Sequence, residues 1–80
     1  MPRYFFHVID GIALPDREGT ELPDLKAARA MAICTSGQIL HDMGERFWDG
    51  TEWRLEVADK EGQVLLVLHF LAETGPPSPR

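Results

Sequence analysis

The chain has 80 residues, of which 44% are hydrophobic, and its formal net charge at pH 7 is −5. This length allows one small domain with a thin core, and such cores contribute only roughly 3–5 kcal/mol unless a disulfide, a metal or a partner subunit adds to them. The single cysteine, Cys34, excludes an intrachain disulfide, and the acidic balance argues against nucleic acid as a ligand because phosphate binding needs a basic surface.

The first predicted element is a strand over Arg3–Ile9, which is rich in aromatic and β-branched residues. Alternation along a strand places Phe5, His7 and Ile9 on one of its two faces. The turn signal Asp10-Gly11 follows, and residues 12–14 are predicted to fold back as a short edge strand.

Two similar tetrapeptides, DREG at residues 16–19 and DKEG at residues 59–62, are predicted turns. Aspartate at the first position and glycine at the fourth suit a type I turn followed by a bulge. Both copies are therefore predicted to close hairpins.

One helix is predicted from about Asp24 to about Met43, with Asp24 as its N-cap and Gly44 as its C-terminal cap. Residues at helical spacing are predicted to form its buried stripe: Leu25, Ala28, Ala32, Ser36, Ile39 and Met43. Cys34 falls on the opposite side of the helix. A reactive cysteine needs a base beside it, and His41 lies two turns away, so an unreactive thiol is favoured.

After a connector over residues 45–52, two strands are predicted at Trp53–Ala58 and Gln63–Phe70. We expect the first strand of the chain to pair with the last. That pairing would put Gln63–Phe70 at the centre of the sheet, which suits its near-continuous apolar run. The longest such run, Val64–Leu68, is far too short to span a bilayer.

The predicted fold class is therefore α+β, with one amphipathic helix packed on a three- to four-stranded antiparallel sheet. The elements follow in the order strand, short strand, helix, strand, strand. A single domain is predicted over residues 1–72, and a disordered, proline-rich tail over residues 73–80. The start of the chain lacks the apolar segment of a signal peptide, and a lone thiol fits a reducing compartment, so a cytoplasmic location is expected, without a membrane partner.

Several motifs together resemble one known family. They are PRYFFH at residues 2–7, DxEGxEL at residues 16–22, DLxAAR at residues 24–29, and DxEGxVLL at residues 59–66. The sequence resembles a family of small bacterial proteins, common in alphaproteobacteria, that is classed as a domain of unknown function. The resemblance implies no activity, cofactor or catalytic residue. The chain departs from the family pattern at Cys34 and Gly37, in a helix that is usually richer in charge.

One face of the predicted sheet is left without a helix. Strand parity places six residues there: Phe5, His7, Ile9, Leu65, Val67 and His69. A contiguous apolar patch marks a partner surface, and we expect this face to mediate self-association, giving a homodimer or a contact with another protein. The alternative is that Phe47, Trp48 and Trp53 fold back over the same face.

His7 and His69 are the candidate metal ligands, because imidazole binds transition metals. A third ligand is not evident, so no cofactor is predicted. The sequence has no nucleophile–base pair and no phosphate-binding glycine loop, so no catalytic residue is predicted either. It favours a non-enzymatic interaction or regulatory module that self-associates. A metal-binding protein or small enzyme that uses the two histidines is the alternative.

Overall fold

The structure is a computed structural model, and it describes residues 1–49, 52–73 and 75. Its elements in chain order are β1 (Arg3–Asp10), β2 (Ile12–Leu14), β3 (Thr20–Glu21), helix α1 (Leu25–Met43), a 3-10 helix (Gly44–Asp49), β4 (Trp53–Ala58) and β5 (Val64–Phe70). All pairings are antiparallel, and α1 lies on one face of the sheet. The predicted α+β fold is confirmed.

The sheet has five strands because a two-residue strand, β3, pairs with β1 beside β2. This short strand and the 3-10 helix are the two elements that the sequence did not predict. The predicted tail over residues 73–80 lies outside the described residues except at positions 73 and 75.

The central strand is β4, so the predicted pairing of the first strand with the last is wrong. The order is β2-β1-β4-β5, with β1 on one side of β4 and β5 on the other. Alternate side chains of β4, namely Trp53, Leu55 and Val57, are almost fully buried beneath α1. The core is therefore centred on a strand that alternates apolar with polar residues, and the apolar run of β5 lies at an edge.

Helix α1 begins and ends where the sequence predicts. The Asp24 carboxylate accepts a hydrogen bond from the Ala27 amide at 2.9 Å, which satisfies one of the free amides of the first turn. At the other end Gly44 has a φ of 54° and donates its amide to the carbonyl of Leu40. The first residue of the predicted buried stripe, Leu25, is 39% exposed, so that part of the prediction is wrong.

Small side chains let α1 approach the sheet closely. Ala28, Ala32 and Ser36 lie one turn apart and are fully buried. The Ser36 hydroxyl has no hydrogen-bond partner among the described residues. A buried hydroxyl without a partner costs about 1–3 kcal/mol, so this contact is not optimal for stability.

We therefore expect Ser36→Ala to stabilise the protein by about 1 kcal/mol or more, because it removes a buried polar atom and alanine also favours the helix. Urea unfolding followed by circular dichroism would measure the change. Cys34→Ala, at an exposed position of the same helix, is the control for helix propensity alone. A loss of stability in Ser36→Ala beside an unchanged control would contradict the prediction.

Candidate functional site

The sheet face away from α1, here called the reverse face, carries the predicted association residues. Antiparallel partners point to the same side of a sheet. The register therefore arranges the reverse face in three cross-strand sets, each with one residue from β1, β4 and β5. The sets are Ile9, Arg54, His69; His7, Glu56, Val67; and Phe5, Ala58, Val64.

The predicted membership of Leu65 in this face is wrong. The β4–β5 register shifts between Val57 and Ala58, and a bulge of this kind inserts one residue and resets the alternation. Leu65 consequently packs against the core cluster, and Val64 takes the position opposite Ala58.

A charged row occupies the middle of the reverse face. Arg54 donates from Nε to Glu56 Oε2 at 3.0 Å and from Nη1 to Glu52 Oε1 at 2.9 Å. The hydrogen bond to Glu56, aided by the charges of both glutamates, raises the pKa of Arg54 above its ordinary value. The reverse face is thus not a continuous apolar patch, and its centre has the polar character of a solvated antiparallel sheet.

The two histidines lie on opposite sides of this charged row. His7 is on β1 and His69 is on β5, with the Arg54 guanidinium on the strand between them. His7 stacks on Phe5, and its Nδ1 accepts the amide of Asp16 at 3.0 Å. Across β4, His7 lies opposite Glu56 and His69 lies opposite Arg54, so the two imidazoles are not in register with each other. No cluster of three or more His, Cys, Asp or Glu suited to a metal occurs in the described part of the chain.

The outer edge of β1 is closed by three features in succession. β2 pairs with Val8–Asp10, and β3 pairs with Arg3 and Tyr4. Between them the Phe6 amide donates to Asp16 Oδ2 at 3.1 Å. A side-chain carboxylate thus replaces a strand carbonyl where the two short strands leave a gap.

The two tetrapeptides play different roles. In DKEG, Asp59 Oδ1 accepts the amides of Glu61 and Gln63, and the turn joins β4 to β5 as predicted. In DREG, Asp16 Oδ1 accepts the amides of Glu18 and Gly19, at 3.0 Å each. That copy connects β2 to β3, which both pair with β1, so the prediction that it closes a hairpin is wrong.

The pKa of Asp16 is lowered from its ordinary value of 3.8. Partial burial acts in the opposite direction, but it is outweighed by the amides of Gly19, Phe6 and Glu18 and by the charge of His7. The folded state therefore favours the ionised carboxylate. Its contribution to stability is complete above pH 3.8 and is lost as the pH falls through the lower pKa of the folded protein.

We expect Asp16→Asn to destabilise the protein by about 1–3 kcal/mol at neutral pH, because the amide offers one acceptor oxygen and turns an NH₂ group toward the Phe6 amide. Asp59→Asn is the matched control, since a single oxygen of Asp59 accepts both of its bonds. Urea unfolding between pH 7 and pH 2.5 would compare them. The difference in the free energy of unfolding between wild type and Asp16→Asn should become smaller below pH 3.8. Equal losses for the two variants would contradict this account.

Gly19 permits the close approach of the DREG loop to β1. Its φ is 75°, and a Cβ at this position would lie 2.8 Å from Phe5 Cε2 and 2.8 Å from Arg3 Cγ. Gly62, at the equivalent place in the second tetrapeptide, has a φ of 84°, and a Cβ there would have open space for 4 Å around it. Only Gly19 is therefore required for space as well as for backbone conformation.

Gly62→Ala should cost about 1–2 kcal/mol for the left-handed backbone alone. Gly19→Ala should cost at least about 1 kcal/mol more, because overlap with the Phe5 ring is added to the same backbone penalty. Thermal and urea unfolding of both variants would measure the difference. Equal destabilisation of Gly19→Ala and Gly62→Ala would contradict the prediction, because it would show that the DREG loop moves to accept the added Cβ at no cost.

The outer edge of β5 is the long free edge of the sheet. β5 has seven residues, none of them charged, and it pairs with β4 alone. No backbone partner for its outer side occurs within the described ranges. Val64 and Val67 are 46% and 37% exposed, and Leu71, just beyond the strand, is 74% exposed.

Phe47 and Trp53 lie on the helix side of the sheet and not over the reverse face, and Trp48 is 52% exposed. Phe47 packs against the core cluster on the helix side, and Trp53 is buried there too. These side chains, with Asp10 and Glu52, line a cavity of about 30 Å³ at one end of the sheet. A cavity of that size holds a water molecule or two, so it is not a ligand pocket.

The fold is thus a single antiparallel sheet covered on one face by one helix, with a charged reverse face and a long apolar edge. The chain belongs to the family described as Domain of unknown function (DUF6894), whose pattern it matches over residues 3–71. The predicted resemblance to a domain of unknown function is confirmed. No curated protein and no solved structure matches the chain. No helix among the described residues is long and apolar enough to cross a membrane.

Two features of this region were not predicted from the sequence. The bridging role of Asp16 depends on the chain returning to Phe6 of β1, which lies ten residues earlier in the sequence. The only signal in the sequence was the DREG motif, in which Asp16 also accepts the amides of Glu18 and Gly19. The free edge of β5 followed only from the strand order.

Proposed function

We propose that this protein is a non-enzymatic protein-interaction module that works as a homodimer. The observation that carries the proposal is the outer edge of β5, which is seven residues long, uncharged and without proline. Unpaired strand edges are templates for pairing with another chain, and monomeric proteins blunt them with charges, prolines or very short strands. The edge of β5 has none of these three protections, and its one irregularity, the bulge at Leu65, lies near the start of the strand and leaves Leu66–Phe70 regular.

The size of the core supports the same proposal. The cluster of buried hydrophobic residues consists of Tyr4, Ala28, Ala32, Trp53, Leu55 and Val57. Two of these six are alanines, so the apolar volume is small, and the one cysteine leaves no intrachain disulfide to add to it. A second subunit stabilises the folded state by mass action.

The chemistry of the reverse face favours an interaction module over the histidine-based alternative. His7 uses Nδ1 to accept the Asp16 amide, and the ion pair of Arg54 with Glu56 lies on β4, the strand between the two histidines. The geometry therefore supports neither a shared metal nor proton transfer between the two imidazoles.

We propose a bacterial cytoplasm as the setting. The motifs shared with the alphaproteobacterial family support the bacterial origin, and the exposed, unpaired thiol of Cys34 supports a reducing compartment. The net charge of −5 supports a protein partner in preference to nucleic acid.

Light scattering on a size-exclusion column should give twice the chain mass of 9.0 kDa at micromolar concentration. Because each copy carries −5, raising the salt from about 0.1 M to about 1 M should strengthen the dimer by screening repulsion between the copies. A solution mass equal to that of one chain at every concentration tested would contradict the proposal.

A further inference from the structure

We propose that β5 is the site of self-association, and that it pairs in antiparallel fashion with β5 of a second copy to join two sheets into one. This inference rests on the proposed function, and it names the surface and the partner. It differs from the expectation that the copies meet through the reverse face.

The backbone of β5 is complementary to itself. An edge strand presents amides and carbonyls alternately along its free side. A two-fold axis perpendicular to the sheet brings the same edge of a second copy alongside in the antiparallel direction, so each free donor meets an acceptor. The pairing requires no movement of β4, because β5 uses only its inner side to bind β4.

The side chains of β5 allow this pairing in a definite register. When the two-fold axis passes Val67, the middle residue of the strand, the pairing is regular over Leu66–Leu68 of both copies, because the bulge at Leu65 ends the alternation there. Val67 then faces Val67 of the second copy, and Leu66 faces Leu68 of the second copy. The segment from Val64 to Phe70 contains no Asp, Glu, Lys or Arg, so the pairing brings together no like charges of these residues even though the chains repel each other overall.

The two edges of the sheet differ in their protection. On the β1 side the sheet ends in strands of three and two residues, and the gap between them is filled by the Asp16 carboxylate. Very short edge strands resist pairing with other chains. The β5 side has a strand more than twice as long, so the second copy is expected at β5.

The reverse face is a poorer candidate for the same partner. A face-to-face dimer would remove the Glu52–Arg54–Glu56 row from water, and that row carries a net negative charge in each copy. Burial of charges without full compensation is unfavourable. An edge-to-edge dimer leaves the whole row in solvent.

Val67→Lys is the discriminating variant. In the monomer the new ammonium group lies opposite Glu56, a cross-strand pair of opposite charge that sheets accept. In the proposed dimer two introduced lysines meet at the two-fold axis, and lysine is also a natural blocker of strand edges. We expect the dimer dissociation constant to rise by at least about tenfold, with an unchanged circular dichroism spectrum.

Ile9→Glu is the matched control. Ile9 lies on the same face but on β1, two strands from the β5 edge, and the new carboxylate would stand opposite Arg54. An edge-to-edge dimer should survive this change. Dissociation in Val67→Lys together with a dimeric Ile9→Glu supports the inference. Dissociation in both variants, or in neither, overturns it while the self-association itself stands. A monomeric wild type overturns the proposed function as well.

Disulfide trapping provides a second measurement that does not depend on the stability of Val67→Lys. In a Cys34→Ser background, Val67→Cys should form a covalent dimer on mild oxidation, because the two Cα atoms at the axis lie within the roughly 4.4–6.8 Å that a disulfide spans. Ile9→Cys in the same background should stay uncross-linked. Trapping at position 9 and not at position 67 would overturn the edge-to-edge arrangement.

Discussion

A side-chain carboxylate, and not a strand carbonyl, accepts the backbone amide of Phe6 at the outer edge of β1. The structure around this edge depends on that hydrogen bond. The Phe6 amide would otherwise lie unpaired between β2 and β3, and an unpaired amide in a partly buried place is costly. Asp16 accepts it with one oxygen and holds its own loop with the other. Burial opposes the charge, but three amides outweigh that opposition, which is why the pKa of Asp16 falls. Because this loop is fixed, Gly19 lies against the Phe5 ring, and β1 is flanked on both sides.

With β1 flanked in this way, β4 is the strand between the two longest strands of the sheet. It pairs with β1 and with β5, and the small side chains of α1 pack against its buried residues. The remaining long edge belongs to β5. The apolar run of β5 includes more residues than α1 covers, since Val64 and Val67 stay partly exposed. A strand with that composition at an edge is accounted for when a second chain completes it.

The sequence predicted features whose causes are local and missed those whose causes are distant. The ends of α1 follow from Asp24 and Gly44, and the turn between β4 and β5 follows from the DKEG tetrapeptide. Strand order depends on contacts between residues far apart in the chain. An apolar run such as that of β5 suits a strand at the centre of a sheet, and it also suits an edge strand that another chain covers. Composition alone therefore could not decide the position of β5 in the strand order. The position of Leu65 was missed because a bulge reverses parity without a residue that marks it.

Strand pairing through the β5 edge and binding of a partner through the reverse face would use different parts of the same sheet. One use therefore does not block the other. Pairing through β5 would be carried by backbone groups and by aliphatic side chains near the axis. The charged row of β4 and the imidazole of His69 would remain in solvent, and the two-fold axis would place one such row on each side of the joint. Backbone pairing provides affinity with little selectivity, whereas charged side chains in fixed positions provide selectivity. A dimer built on the edge therefore keeps the reverse face, now doubled, available to recognise a further protein.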